Sequence, residues 1–533
     1  MSHGRKPDSS IEILPKELIV AALNELDVGT LLRSRQLCRS VKNLVDHTPR
    51  LQYKIELAIA GMEDNPCSKF GIEEHRARLE TYQAGWADLC WQKEEVLVSS
   101  GGEPWDLFGN VMVAETSTGG LSFKKLEGCS RGVEGREWEL DLVDIEIDAF
   151  ALDPPQDLLV LVETYGQRLD NKTSDDIAAF LLQFRSMTTG DSHPFTGYHI
   201  AHITGIPFHA APTDMGFDIK VAGDYVGVLF KLDEFGAREI CVWNWKTSCL
   251  LKCFKPYPEN SISHTTAVFY SSFAFLTESQ ILISVTYPVA KLEVYNFAEG
   301  PTTTWREGPF SVRLELLYPA IPISWYTGLA IVVDPPLSSR ARHVDVPFHF
   351  SPDSRIVAIT VAVSNDADTG GVWHHFIPIT VFTSALSQSP DSHLTTPGCF
   401  EWEKWAPDQT CLVSDCRFPS WHCVISGTRC PPPFEANVDF FAPDELEVEV
   451  LDFNPVALRR DPRGGEVSEF RSVHLEVGDA RCTFPSKMPY RRKVVTLPPH
   501  LHGALHHVLI SEDCVILVYT LENGDFTYNV LTF

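Results

Sequence analysis

Near the start of the chain, apolar residues recur every three or four positions. From about residue 95 onward that period gives way to short runs of alternating or continuous β-type residues. Leu18, Ile19, Ala22, Leu23 and Leu26 follow Pro15 at the spacing of one buried helical face. Proline suits the first helical position because it lacks an N–H, and Glu17 in the first turn complements the helix dipole. Asp27 can cap a second short helix over Thr30–Arg35, and Gln36–Val45 forms a third with Leu37, Cys38, Val41, Leu44 and Val45 on one side. Thr48-Pro49 punctuates before a fourth segment, Leu51–Ala60. In the next stretch Leu79, Tyr82, Trp86 and Leu89 make one stripe on a helix within Ile72–Trp91, expected to lie against the β region after it. A module of three or four such helices is marginal unless it leans on a partner or on the rest of the chain.

The remainder reads as strands: Asp157–Glu163, Tyr225–Phe230, Ile281–Val285, Arg355–Val361 and Cys514–Tyr519, each after a turn that holds Asp, Pro, Gly or Ser. Second strands end alike, in Glu239–Thr247, Lys291–Phe297 and Glu447–Phe453, with an Asn or Asp among aromatics or aliphatics. These resemble degenerate WD-type blade endings, and Phe350–Arg355 resembles the turn that opens the next strand pair. The recurrence is irregular, so long loops must intervene between repeats that ordinarily run about 40–50 residues. A β-propeller of about six to eight blades fits the available length, with two packed β-sandwiches as the alternative. Phe526–Phe533 reads as a terminal strand that would close a ring by pairing with the start of the β domain.

The first helices carry a more specific resemblance. Leu14-Pro15-x-Glu17-Leu18-Ile19, Leu26-Asp27, Leu31-Leu32-Arg33 and Leu37-Cys38-Arg39 are similar to an F-box, across about forty of the 533 residues. Leu51–Gly61 resembles the extension seen in many fungal F-box proteins, and the helix ending in Trp86–Trp91 is similar to that group too. The resemblance implies an α+β multidomain chain, with an N-terminal helical F-box followed by a large all-β domain, a β-propeller. The expected divisions are 11–60 for the F-box and its extension, 61–95 for a connector helix and 96–533 for the β domain. It also implies a substrate receptor of an SCF-type cullin-RING ubiquitin ligase, with a Skp-type adaptor, and through it a cullin, held by Leu14, Pro15, Leu18, Ile19, Leu31, Leu32 and Leu37. The β domain would hold an unknown target protein, and the chain itself would catalyse nothing. A plain helical hairpin capping a larger domain, a propeller scaffold outside any ubiquitin ligase, and an enzyme with its site in a propeller channel stay open as alternatives.

Charge narrows the partners. The formal net charge is −27, of which residues 1–95 carry −2, so the acidity belongs to the β domain. That argues against nucleic acid and anionic membranes. The opening residues lack a secretory pattern, and the uncharged run 316–333 is broken by Pro319, Pro322 and Gly328, which fits two buried strands better than a membrane span. Cytoplasmic and/or nuclear residence is the resulting expectation, with the 14 cysteines reduced and mostly buried and the sequon Asn171-Lys172-Thr173 unused. No phosphate loop, nucleophile elbow or zinc-protease helix is present in the sequence. Cys411, Cys416, Cys423 and Cys430 with His422 lack close metal-ligand pairs, and His500, His502, His506 and His507 read as a loop before a strand. No metal and no cofactor is expected. Trp402, Trp405 and Trp421 read as filling between sheets.

Overall fold

The computed structural model of the protein describes residues 14–98, 105–117, 119–142, 145–167, 176–196, 199–208, 215–232, 237–255, 268–296, 312–321, 324–334, 346–365, 370–388, 398–413, 425–432, 446–461, 466–468, 471–477, 480–521 and 525–533. Among them, seven antiparallel sheets succeed one another along the chain. Blade 1 holds the strands Asp106–Phe108, Val111–Glu115, Leu121–Lys125 and Arg136–Leu140. Blade 2 holds Ala149–Asp153, Leu158–Gln167, Asp176–Ser186 and Ile200–Phe208; blade 3 holds Met215–Ala222, Tyr225–Leu232, Ala237–Asn244 and Cys249–Phe254. Blade 4 runs Phe269–Thr277, Gln280–Tyr287, Lys291–Asn296 and Val312–Leu317; blade 5 runs Ser324–Val333, Ile356–Asn365, Gly370–Pro378 and Cys411–Val413. Blade 6 is ordered Arg429–Cys430, Glu447–Asp452, Tyr490–Thr496 and Glu466–Ser468.

Blade 7 takes Leu505–Ile510, Cys514–Thr520 and Phe526–Thr532 from the end of the chain and Lys93–Val98 from its first quarter. Lys93 pairs Thr532 and Val98 pairs Thr527, so the ring closes by antiparallel pairing of early and late chain, as the terminal strand suggested. The early strand starts inside the stretch read as connector.

The packing shows that the sheets form a propeller and not two sandwiches. Each large apolar cluster sits between one blade and the next. Val113, Phe123 and Leu161 join blades 1 and 2; Phe180, Val228 and Trp243 join 2 and 3; Leu229, Phe273 and Ile283 join 3 and 4. Leu292, Leu316 and Ile359 join 4 and 5; Phe376, Leu451 and Tyr490 join 5 and 6; Val450, Leu505 and Leu517 join 6 and 7. Met112, Ile516 and Val530 join 7 back to 1. Seven interfaces for seven sheets make a closed cycle. A blade is therefore covered on both faces, which is why its strands read as continuous apolar runs rather than clean alternation. In blade 3, Val226, Val228 and Phe230 face blade 2 while Leu229 faces blade 4.

The irregular repeat spacing has two sources. Blade 5 carries a helix (Ile379–Gln388), a short strand (Gly398–Phe400) and a helical turn (Trp402–Trp405) between its last two strands; Gly398–Phe400 pairs in parallel with Val312–Leu317 of blade 4. Blade 6 forms its outer strand before its third, with the ribbon Arg471–Val477/Ala480–Ser486 between them in sequence. The uncharged run splits as expected, between the end of Val312–Leu317 and the strand Ser324–Val333. Among the described residues no helix is long and apolar enough to cross a membrane.

Ahead of the ring lie α1 (Lys16–Asn24), α2 (Val28–Ser34), α3 (Arg39–His47), α4 (Pro49–Ala60) and α5 (Ile72–Asp88). Leu23, Leu31, Val41, Val45, Leu51 and Ile55 form the small core of α1–α4. Helix α4 also turns Tyr53 and Leu57 into the blade 6–7 cluster, and so ties the module to the ring. Gly61 ends α4 with φ 70°, a left-handed turn that glycine adopts without strain, and its carbonyl accepts from Ser351 N–H at 2.9 Å. The chain then pairs Met62–Asp64 with Phe348–Phe350. Helix α5 buries Leu79, Tyr82 and Trp86, and its C-cap Leu89, in that same cluster. Trp86 stacks on Phe533 at 4.2 Å, and the Arg429 guanidinium lies 4.3 Å from its ring centre. Tyr82 Oη donates to the Glu512 carbonyl at 2.7 Å, and Lys493 Nζ donates to the Trp86 carbonyl at 2.8 Å. The connector stripe is thus packing against the ring.

Candidate functional site

The sequence placed candidate binding residues on the first helices, and the structure divides them by burial. Helix α1 begins one residue after Pro15, which occupies the N-cap and not the first helical position. Its inner side carries Leu23, with Ile19, Val20 and Leu26 partly buried against the same core. Leu14, Pro15 and Leu18 point away from that core, the two leucines 53% and 57% exposed. Asp27 caps α2 as read, its carboxylate accepting from Thr30 N–H at 2.9 Å. Hydrogen bonds from Thr30 hold the Asp27 carboxyl below the usual carboxylate range.

On α2 two adjacent leucines part ways. Leu31 is 0% exposed and packs the module's core, whereas Leu32 is 39% exposed. Leu31 therefore leaves the candidate surface: a side chain sealed within the core cannot also be gripped from outside. Leu37 is the second revision. The third helix starts at Arg39 with Cys38 as its N-cap, so Leu37 sits in the preceding turn, 70% exposed, and not on the buried face of a helix. Leu14, Pro15, Leu18, Leu32 and Leu37 make up the exposed set, with Ile19 half-buried beneath it. The scaffold behind it is well tied. Arg35 pairs with Asp46 at 2.8 Å, Lys54 Nζ donates to the Asn24 carbonyl at 2.6 Å, and Gln52 Nε2 donates to the Val45 carbonyl at 2.6 Å.

The orientation of the module is set by polar contacts to the ring. Tyr53 Oη donates to the Pro347 carbonyl at 3.3 Å, Asn454 Nδ2 donates to the Ile59 carbonyl at 2.9 Å, and Arg460 pairs with Glu56. Between α4 and the turn Ser351–Ser354 lies an open cleft of about 560 Å³, bordered by Asp27, Arg50, Lys54, Glu63, Asp64 and Asp353.

The other sequence candidates disperse. Cys411 and Cys430 are buried on separate strands of blades 5 and 6, and Cys416, His422, Cys423 and Trp421 lie outside the described residues, as does the sequon. His500 pairs with Glu94 at 2.8 Å, His502 Nε2 meets the Leu497 carbonyl at 2.8 Å, and His506 packs edge-on against His507. Trp402 and Trp405 fill space around Tyr318 and His375. The expectation of mostly buried cysteines is corrected. Among those described, Cys241, Cys411, Cys430 and Cys514 are buried, and Cys67, Cys90, Cys249 and Cys399 are exposed.

One donor group escaped the sequence reading. His202, Glu239 and Cys241 bring a nitrogen, a carboxylate oxygen and a thiol within 4.8 Å of one another. The available signal was weak: Glu239 and Cys241 alternate on one strand face, but His202 comes from a neighbouring blade.

No family model and no curated protein matches the chain. Among solved structures it is similar to the WD40 domain of SCAP from fission yeast, at 9% identity over 82% of this chain and 94% of that one, with a TM-score of 0.34. It is also similar to the N-terminal domain of Nup159 (10% identity, 83% and 95% covered, TM-score 0.32) and to the Dos1 propeller (9%, 82% and 95%, 0.35). The propeller assignment rests on strand order, register and the cycle of interfaces. The chain is a seven-bladed β-propeller with a short helical region ahead of it. Such a ring is a scaffold whose loops present binding surfaces.

Proposed function

We propose that the protein is a substrate receptor of an SCF-type ubiquitin ligase, with an F-box in α1–α3 that docks on a Skp-type adaptor and thereby on a cullin. One observation carries this reading. Leu14, Leu18, Leu32 and Leu37 are exposed on a small helical module whose other large aliphatics are buried or half-buried. Four exposed leucines within one small module are apolar surface that a protein partner would cover. Each leucine contributes about 1.5–3 kcal/mol if fully buried, before the ordering costs of association. The propeller would present an unknown target, and the chain would act without bond chemistry, by raising the local concentration of target lysines beside a charged ubiquitin carrier. Cytoplasmic or nuclear residence belongs to the same reading.

Capture of a purified Skp-type adaptor by the full chain tests it. Wild type should retain the adaptor, and Leu32→Asp should lose it while keeping the wild-type circular dichroism spectrum. Equal capture by both proteins, or none by wild type, overturns the proposal and leaves a non-catalytic propeller scaffold acting outside a ubiquitin ligase.

A further inference from the structure

From the interface of blades 2 and 3 we infer a divalent transition-metal site, suited to Zn²⁺, formed by His202, Glu239, Cys241 and Cys253.

The strands explain how these residues meet. Ala237–Asn244 alternates its faces: Ile240 and Val242 pack towards blade 4, Cys241 and Trp243 towards blade 2. Glu239, two residues before Cys241, shares its face. Cys253 stands directly opposite Cys241 in the register of the next strand, hence on that same face, beside the three residues whose donor atoms already lie within 4.8 Å of one another, and its side chain would turn in to complete the four. His202 arrives from Ile200–Phe208, the last strand of blade 2. Its ring is held between two aromatics, stacked 5.2 Å from Phe230 and edge-on 5.2 Å from Trp243.

The separations fit one ion. Zinc bonds of about 2.0 Å to N and O and about 2.3 Å to S, in tetrahedral geometry, place N and O about 3.3 Å apart and either of them about 3.5 Å from S. Here His202 Nε2 lies 2.8 Å from Glu239 Oε1, Cys241 Sγ lies 3.5 Å from His202 Nε2, and Cys241 Sγ lies 3.3 Å from Glu239 Oε1. Each of these three pairs is within about half an ångström of the tetrahedral value. Two thiols, an imidazole and a carboxylate are also the donor types that zinc takes. Glu239 and Cys241 are fully buried, while His202 and Cys253 reach the surface and give an ion its route in. A bound ion would turn two neutral thiols into thiolates, release their protons to solvent and clamp blade 2 to blade 3.

Titration of the reduced, chelator-stripped full chain with Co²⁺, followed by Zn²⁺, tests the assignment. Wild type should take up Co²⁺ saturably, with near-ultraviolet thiolate-to-cobalt absorption and the visible bands of tetrahedral cobalt, both abolished by Zn²⁺. Cys241→Ser and Cys253→Ser should each cut the near-ultraviolet band by about half, and His202→Asn should weaken Co²⁺ binding at least about tenfold. Should Cys241→Ser fail to fold, Cys253→Ser, at a partly exposed position, decides alone. Absence of saturable Co²⁺ uptake by wild type would leave a His202–Glu239 ion pair only and overturn the assignment. Bands unchanged in folded Cys253→Ser would overturn it too, because the ion would then sit elsewhere.

Discussion

Two groups of large apolar residues in the helical region stand less than fifty residues apart in this chain, and they end in opposite environments. Leu79, Tyr82 and Trp86 of α5 and Leu89 at its C-cap are buried between blades 6 and 7, whereas Leu14, Leu18, Leu32 and Leu37 around α1 and α2 face solvent. The difference is size and shape. The α5 stripe carries two large aromatics that fill a gap framed by Phe348, Phe533 and Arg429. The leucines of the first helices surround a core already filled by six smaller side chains. Apolar residues that meet a complementary surface in their own chain become core, and those that meet none stay in solvent.

The sharpest way to break this contrast is to remove the anchor of α5. Trp86→Ala should cost about 3–5 kcal/mol in denaturant unfolding of the full chain, because the cavity opens between two blades. A loss below about 1 kcal/mol would show that α5 merely rests on the ring. The adjacent pair Leu31 and Leu32 sharpens the contrast inside one helix. Leu31→Asp buries an unpaired carboxylate in the module's core and should melt α1–α3, with loss of helical circular dichroism and of adaptor capture together. Leu32→Asp should spare the helices.

Acid should separate the ring from the module. His375 is enclosed in blade 5 beside Trp402 and Trp405, its Nδ1 2.9 Å from the Tyr318 hydroxyl; burial pushes its pKa down to about 3, and that of His374 to about 4. The unfolded chain binds these protons near pH 6.5 and the folded ring does not. Their contribution is therefore complete above pH 6.5 and shrinks as pH falls towards 4, each histidine costing about 2 kcal/mol at pH 5. Asp334 and Asp153, raised by burial to about 7 and 6, act with the opposite sign, since their contribution is present at low pH and fades as pH rises through those values. Comparison with His375→Gln isolates the histidine: between pH 7 and pH 5 the variant should lose about 2 kcal/mol less than wild type. Parallel pH profiles for the two proteins would contradict this account. The smallest effect is expected at Leu37→Asp. In an exposed turn it should change stability by under about 0.5 kcal/mol while still weakening adaptor capture.

Much of the ring was legible in the sequence because blade strands are covered on both faces. Runs such as Tyr225–Phe230 and Cys514–Tyr519 are apolar at nearly every position, and the structure starts strands at Tyr225 and Cys514. Blade number was hidden by the insertions in blade 5 and the strand order of blade 6, where sequence neighbours are not sheet neighbours. The candidate docking surface was half legible. The F-box resemblance marked the leucines as a group but could not tell Leu31 from Leu32, which lie about 100° apart on α2. The His202, Glu239, Cys241 and Cys253 group was illegible, because its members come from three strands in two blades and only ring assembly brings them together.

Local order in the chain was thus settled by the sequence itself: which segments coil, which extend, where Asp27 caps a helix, and that the last strand needs an early partner. Those outcomes depend on spacing and on side chains a few residues apart. Tertiary structure alone decided which apolar face is sealed, how many blades close the ring and which distant donors share one pocket. Burial and proximity there are properties of surfaces meeting, and each depends on the shape of a partner surface encoded hundreds of residues away.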